Sequence, residues 1–306
     1  MRKSVGVLLT LLLSCLVANA EDVSSRMDGV MLRIRNNEVV SYEYGYFCSA
    51  ENALSTIVSV GKYYSDSLPK IRCQAYRYAS KAALQCNSDT TKIMVVEDLL
   101  RSCNDSSSIV VQNAWQELTK FDKKYFTEES KRMLEHIIDN GKFFSEKFFM
   151  IGGYVGSENM VSILKNRRAL CEKNQQWYVD LALCRLNDNS SVQAVLSRLS
   201  KIKPSLDFVD LLLPDLLYTR QRQIYDWIIN EAMTDECKCV SRSPVSERQM
   251  PCAYYIMYEI ADYIEDFPID RDEDGEKDDD FSKSDIKNMR TWLGANLNYR
   301  IIDAGY

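Results

Sequence analysis

Apolar residues recur at intervals of three and four along almost the whole chain, and only 11 glycines and 6 prolines interrupt its 306 residues. That is the period of a helix buried along one face, whereas a half-buried strand would alternate every second residue. The expected fold class is therefore all-α. A first helix follows Ser49, with Ala53, Leu54, Ile57 and Val58 on its inward face, and ends near Ser65-Asp66-Ser67-Leu68-Pro69. A second fits Ile71 to Cys86. Asn87-Ser88-Asp89-Thr90 then supplies a turn and N-cap for a third, which carries Ile93, Val95, Val96, Leu99 and Leu100 to Cys103. The valines leave a strand as the other reading of that short run.

Further helices fit Ser108 to Leu118 and Thr127 to Phe149. Met133, Leu134, Ile137, Ile138, Phe144, Phe148 and Phe149 make one apolar stripe on the latter, the pattern of a core-facing helix. Gly152-Gly153-Tyr154-Val155-Gly156 interrupts the period and reads as a hinge between two helical subdomains, 21–151 and 157–306. In the second, Asn187-Asp188-Asn189-Ser190 reads as a turn before a helix to Ile202. After Pro204, Ser205 can cap a helix that runs through Leu213, is kinked or restarted at Pro214 and continues past Trp227. Pro244 and Pro251 make the segment around them a loop, and Ala253 to Ile264 is a helix with Ile256, Met257, Ile260, Ala261 and Ile264 inward.

Residues 1–20 carry an address. Arg2 and Lys3 precede an apolar run from Val5 to Val17, and Ala18-Asn19-Ala20 closes it before the polar Glu21-Asp22-Val23. This is the pattern of a secretory signal peptide with an Ala-x-Ala cleavage site, and the run is shorter than the ~20 apolar residues that a membrane span needs. Modification at Cys15, as in a bacterial lipoprotein, is the minor alternative. The expected location is extracellular, with no transmembrane segment in the mature chain. Cleavage leaves 36 basic against 44 acidic side chains, about -8 in net charge, which argues against nucleic acid as a partner.

Of the ten cysteines, nine outlast cleavage, and an exported protein is expected to oxidise most of them. Facing residues of a helical hairpin lie at equal distances from its turn. That counting pairs Cys48 with Cys86 about residue 67, and Cys73 with Cys103 about residue 88. Cys184 is expected to bond Cys237 or Cys239. The partners of Cys171 and Cys252 stay open, and the odd number leaves one cysteine free or bonded to another molecule. The expected architecture is thus a disulfide-braced helical bundle. Asn104-Asp105-Ser106 and Asn189-Ser190-Ser191 are N-glycosylation sequons at expected turns.

Asp270-Arg271-Asp272-Glu273-Asp274-Gly275-Glu276-Lys277-Asp278 lies between two expected helices, within an acidic loop over 270–280. The run resembles the first nine positions of an EF-hand calcium loop, where alternate carboxylates converge on one hard cation and a glycine allows the sharp turn. The resemblance implies Asp270, Asp272 and Asp274 as side-chain ligands, Glu276 through its carbonyl and Asp278 through water. It departs from the pattern at Lys277 and at Phe281, which stands where a bidentate glutamate closes the shell, and Asp279 or Asp280 would have to substitute. The other reading is a solvated acidic run with no ion.

No catalytic residue is nominated. His136 is the chain's one histidine and falls on the polar shoulder of its helix, and no nucleophile elbow, zinc-protease motif or phosphate loop occurs. The leading expectation is a secreted helical protein that binds another protein or a small apolar ligand. An extracellular calcium-binding protein is the alternative, and a hydrolase working with paired carboxylates the third.

Overall fold

The computed structural model describes residues 22–40, 42–140, 148–240, 249–277, 283–303 and 305–306. The signal peptide, Phe144, Asp278 and residues 279–280 lie outside them. The chain is mostly helical and divides into two compact units, the boundary falling between Ile151 and Gly152.

The first unit runs from α1 (22–35) through α2 (Tyr44–Phe47), α3 (Ala53–Val60), α4 (Pro69–Gln85), α5 (Asp89–Ser102) and α6 (Ser108–Leu118) to α7 (Glu128–Asn140) and the start of α8 (Phe148–Val155). Its centre is α4, which α2, α3, α5 and α6 all touch. Every residue from Ile71 to Tyr76 is buried, and Ala75, Ala79, Ala82 and Ala83 let the neighbouring backbones approach closely. The polar residues inside are matched. Arg72 holds Asp105 in a two-pronged pair, Nε to Oδ2 and Nη2 to Oδ1 both at 2.7 Å, and Asp105 also accepts the backbone N–H of Ser107 at 2.8 Å. One ion pair thus ties the start of α4 to the α5–α6 turn. Gln74 donates to the Tyr44 hydroxyl at 2.8 Å, and Asn113 of α6 donates to the carbonyl of Cys73 at 3.3 Å.

Several helix ends follow the expected chemistry. Ser88 caps α5 by accepting the N–H of Thr91, Thr127 accepts that of Ser130 before α7, and α6 spans the expected residues. The inward face of α3 differs. Ala53, Thr56, Ile57 and Val60 are buried, whereas Leu54 and Val58 are 56% and 71% exposed. The hydroxyl of Thr56 bonds the Phe47 carbonyl at 2.8 Å, so a polar residue is satisfied inside and two apolar ones face outward.

The second unit contains α9 (Met160–Arg168), α10 (Lys173–Arg185), α11 (Asn189–Leu199), α12 (Leu213–Tyr218), α13 (Arg222–Ala232), α14 (Ala253–Ile260) and α15 (Lys283–Ala295). Its buried helix is α10, whose residues Val179 to Cys184 are all covered. Asp180, 1% exposed, receives Arg168 of α9 at 2.5 Å and Arg198 of α11 at 3.1 Å, so one carboxylate joins three helices. A wide π-turn over Phe208–Leu212 precedes α12, Pro214 sits in the first turn of α12, and Arg220 with φ 52° ends the run before α13 restarts.

Two expectations are corrected here. The segment around Pro251 is not all loop: β1 (Lys238–Val240) pairs antiparallel with β2 (Gln249–Pro251), Lys238 opposite Pro251 and Val240 opposite Gln249. Three-residue strands are too short to register as an alternating pattern, and a proline at a strand's last residue does not exclude pairing. The expected hinge also contains helix, since α8 continues through Gly152 and Gly153 to Val155 and stops at Gly156, whose φ of +65° suits a glycine. Gly153 serves close packing: a Cβ there would stand 2.6 Å from the carbonyl oxygen and 2.7 Å from the Cα of Ala182 in α10.

Gly153→Ala is therefore expected to cost at least about 2 kcal/mol, because backbone atoms must yield to the new methyl. Gly29→Ala, on an exposed turn of α1 with nothing within 4 Å, should gain about 0.5–1 kcal/mol. Urea unfolding of the two variants checks both signs.

Asp188 gives the fold a pH dependence. It caps α11 by accepting the N–H of Ser191 at 3.0 Å, and it pairs with Lys165 of α9 at 2.6 Å. Desolvation opposes its ionisation, but the Lys165 ammonium and the donors of Ser190 and Ser191 outweigh it and hold the carboxyl well below its usual range. A depressed acid stabilises the fold above its unfolded pKa of about 3.9 and loses that contribution as pH falls towards the folded value. Asp188→Ala should cost about 1–2 kcal/mol at pH 7, and its deficit against wild type should shrink between about pH 5 and 2 in urea titrations.

Candidate functional site

A cleft that brings polar and apolar side chains together lies in the second unit, between the β1–β2 hairpin and α15. The frame is built from three constraints. Cys239 of β1 is bridged to Cys252 at the start of α14, with Cα atoms 5.0 Å apart, so the hairpin is tied to the helix that follows it. Arg290 of α15 reaches the end of α13, donating to the carbonyls of Ala232 at 3.1 Å and Thr234 at 2.9 Å and pairing with Asp235 at 2.7 Å. Those carbonyls lack intrahelical donors, and a guanidinium at a helix C-terminus also complements its dipole. Arg222 performs a similar service for the chain's end, donating to the Tyr299 carbonyl at 3.2 Å and lying 3.8 Å over that ring.

The resulting space is about 630 Å³. Pro251, Tyr254 and Ile286 supply its apolar lining, and Lys238, Gln249, Lys287 and Thr291 its polar lining, with the Arg290–Asp235 pair on one wall. Since Arg290 is neutralised, Lys238 and Lys287 set the sign of the local field. Neither makes an ion pair among the described residues. In a chain with a net charge of -6 this is a local reversal.

The described residues of the expected calcium loop lie at the surface. Asp270, Asp272, Asp274 and Glu276 are all exposed, and among the described residues no three Asp, Glu, His or Cys side chains form a metal-holding group. Residues 271–277 close instead as a small hairpin turning at Gly275, whose φ is +81°. Asp272 accepts the N–H groups of Asp274 and Glu276 at 3.0 and 2.8 Å, and the Glu276 carbonyl accepts the N–H of Asp272 at 2.9 Å. Two cations flank the turn, Arg271 and Lys277, both held by Asp262 at 2.7 and 2.6 Å. One carboxylate oxygen of the loop, Oδ1 of Asp272, thus accepts two of its own amides.

One bridge is formed among the described residues, Cys239–Cys252. Among the described residues, Cys48, Cys73, Cys86, Cys103, Cys171, Cys184 and Cys237 carry thiols. Cys48 is buried at the end of α2, and Cys86 is half-buried at the end of α4. The Cys103 thiol bonds the Leu99 carbonyl of its own helix at 3.4 Å, while Cys73 lies on the α4 turn that faces α6. Cys184 has neither expected partner, since Cys239 belongs to Cys252 and Cys237 is free. Burial pushes the thiols of Cys103 and Cys184 up to about 12 and that of Cys48 up to about 11, so as thiols they stay protonated and pack as small apolar groups.

Asn104 is exposed in the α5–α6 turn, and Asn189 is exposed as the first residue of α11. His136 is exposed on α7.

Both amide donors reach the same oxygen of Asp272, Oδ1. Calorimetry at millimolar calcium, comparing wild type with Asp270→Ala/Asp272→Ala, tests the loop as a calcium site: heat in the first that is lost in the second supports it, and no heat in either removes it.

No described helix is long and apolar enough to cross a membrane. No protein-family model, curated protein or solved structure matches this chain.

Proposed function

We propose that this is a secreted binding protein, and that the cleft between the hairpin and α15 takes a small ligand with an apolar body and an anionic group. The observation that carries the reading is the lining of that cleft. A space of about 630 Å³ lies within the range of small-molecule sites, and such sites combine an apolar lining with a few placed polar groups. Here Pro251, Tyr254 and Ile286 would cover the apolar body. Lys238 and Lys287 would face the anion from the hairpin and the helix. The bridge and the Arg290 anchor hold both walls before a ligand arrives, which lowers the ordering cost of binding. Export rests on the leader pattern of residues 1–20, and the exposed sequons are compatible with it.

The test uses carboxylates of increasing apolar size, benzoate and hexanoate against acetate, followed by amide chemical shifts of the full mature chain. Shifts are expected at Lys238, Tyr254 and Lys287, larger for the apolar acids, and lost in Lys238→Glu/Lys287→Glu. Shifts confined to other residues, or unchanged by the double substitution, would remove the cleft as the site.

A further inference from the structure

Three cysteines meet at the hairpin, and their register gives the bridge a second possible partner. Lys238 opposite Pro251 is the last pair of the ladder, and just past it Cys252, which opens α14 with φ -59° and ψ -22°, donates its N–H to the Cys237 carbonyl at 3.0 Å. A backbone hydrogen bond of that length keeps the two Cα atoms within about 7 Å, close to the span that a disulfide covers. Cys237 immediately precedes β1 and Cys239 lies within it, so an extended backbone between them sends both side chains to one side. The burial pattern agrees: Lys238 and Val240 are exposed, Cys239 is buried and Cys237 is half-buried. Cys252 therefore has one sulfur bonded to it, that of Cys239, and a free thiol, Cys237, beside it at the end of the ladder.

We infer that the hairpin is a thiol–disulfide exchange site in which Cys237 and Cys239 alternate as the partner of Cys252. The Cys237 thiol loses its proton, and its sulfur attacks Sγ of Cys252. A new Cys237–Cys252 bond forms, the Cys239–Cys252 bond breaks, and Cys239 leaves as a thiolate that takes up a proton. One disulfide and one thiol stand on each side of the step, so no oxidant or reductant is consumed. The two bridges are close in chain entropy, because the alternative closes a loop only two residues longer than the 13-residue separation of Cys239 and Cys252. Exchange also moves the free thiol along β1, from one side of Lys238 to the other, beside the cleft that Lys238, Gln249 and Pro251 line. The inference does not depend on what the cleft binds.

Peptide mapping of the full chain tests it. Trypsin cuts after Lys238, Arg242 and Arg248, which places Cys237, Cys239 and Cys252 on three different peptides. The native protein is held at neutral pH, quenched in acid, alkylated with N-ethylmaleimide and then digested without reduction. Both bridged pairs are expected, within about tenfold of each other given the similar loops. Each should be accompanied by alkylation of the third cysteine. Cys237→Ser, which removes a half-buried free thiol, must show the Cys239–Cys252 pair alone and so controls for scrambling during digestion. In Cys239→Ser the bridge should pass to Cys237, with helicity checked by circular dichroism; if that variant fails to fold, the wild-type map decides. A Cys237–Cys252 pair below about one part in a hundred in wild type overturns the exchange, as does alkylated Cys252 in folded Cys239→Ser.

Discussion

A helical stretch covered by its neighbours has little water to solvate its charges, and each unit of this chain is built round such a stretch. In the first, Arg72 enters the buried face of α4 and is matched by the carboxylate of Asp105. In the second, Asp180 is buried on α10 between two guanidiniums. Removing one partner from a pair of this kind leaves a charge without solvent or counterion, a loss of about 3–5 kcal/mol for a fully buried pair and less where, as at Asp180, the arginines reach water. The packing follows from this requirement. Asp105 must sit in the α5–α6 turn, and Arg168 and Arg198 must flank α10, so the order in which helices surround each centre is restricted by where a counter-charge is available.

The same logic explains why the second unit has a firm cleft in a chain of modest helices. The C-terminal carbonyls of α13 need donors, and Arg290 supplies them from α15. That contact brings α15 alongside the hairpin and leaves a space between them. The hairpin by itself would be marginal, because three paired residues bury little. Its bridge to Cys252 and its continuity with α14 hold it in place. Cation and apolar side chains then share one wall for structural reasons, and the binding proposed above uses what the packing has already set.

Much of the helical framework was legible from local chemistry. The Asn87–Thr90 run stops one helix and starts the next, Ser205 accepts the N–H of Phe208 ahead of the π-turn, and Pro204 precedes it. These signals act over three or four residues, so the chain alone carries them. The inward face of α3 was not legible, because Leu54 and Val58 fit the period as well as Thr56 and Val60 do. Only the position of the Phe47 carbonyl decides that Thr56 turns inward. The cleft was missed for a related reason. Its two lysines come from residues 238 and 287, nearly fifty positions apart, and neither stands in a motif.

What the sequence by itself determined was a helical chain, the ends of most of its helices, and an unmatched set of cysteines behind an apolar leader pattern. Helix period, capping and proline geometry are properties of a few consecutive residues, and they survive in any tertiary arrangement compatible with them. Tertiary structure alone decided which sulfurs meet at the hairpin and which carboxylates neutralise which arginines. Each of those depends on distances of a few ångströms between residues that the chain separates widely. The Cys237–Cys252 alignment became visible only once the register of a three-residue ladder was known.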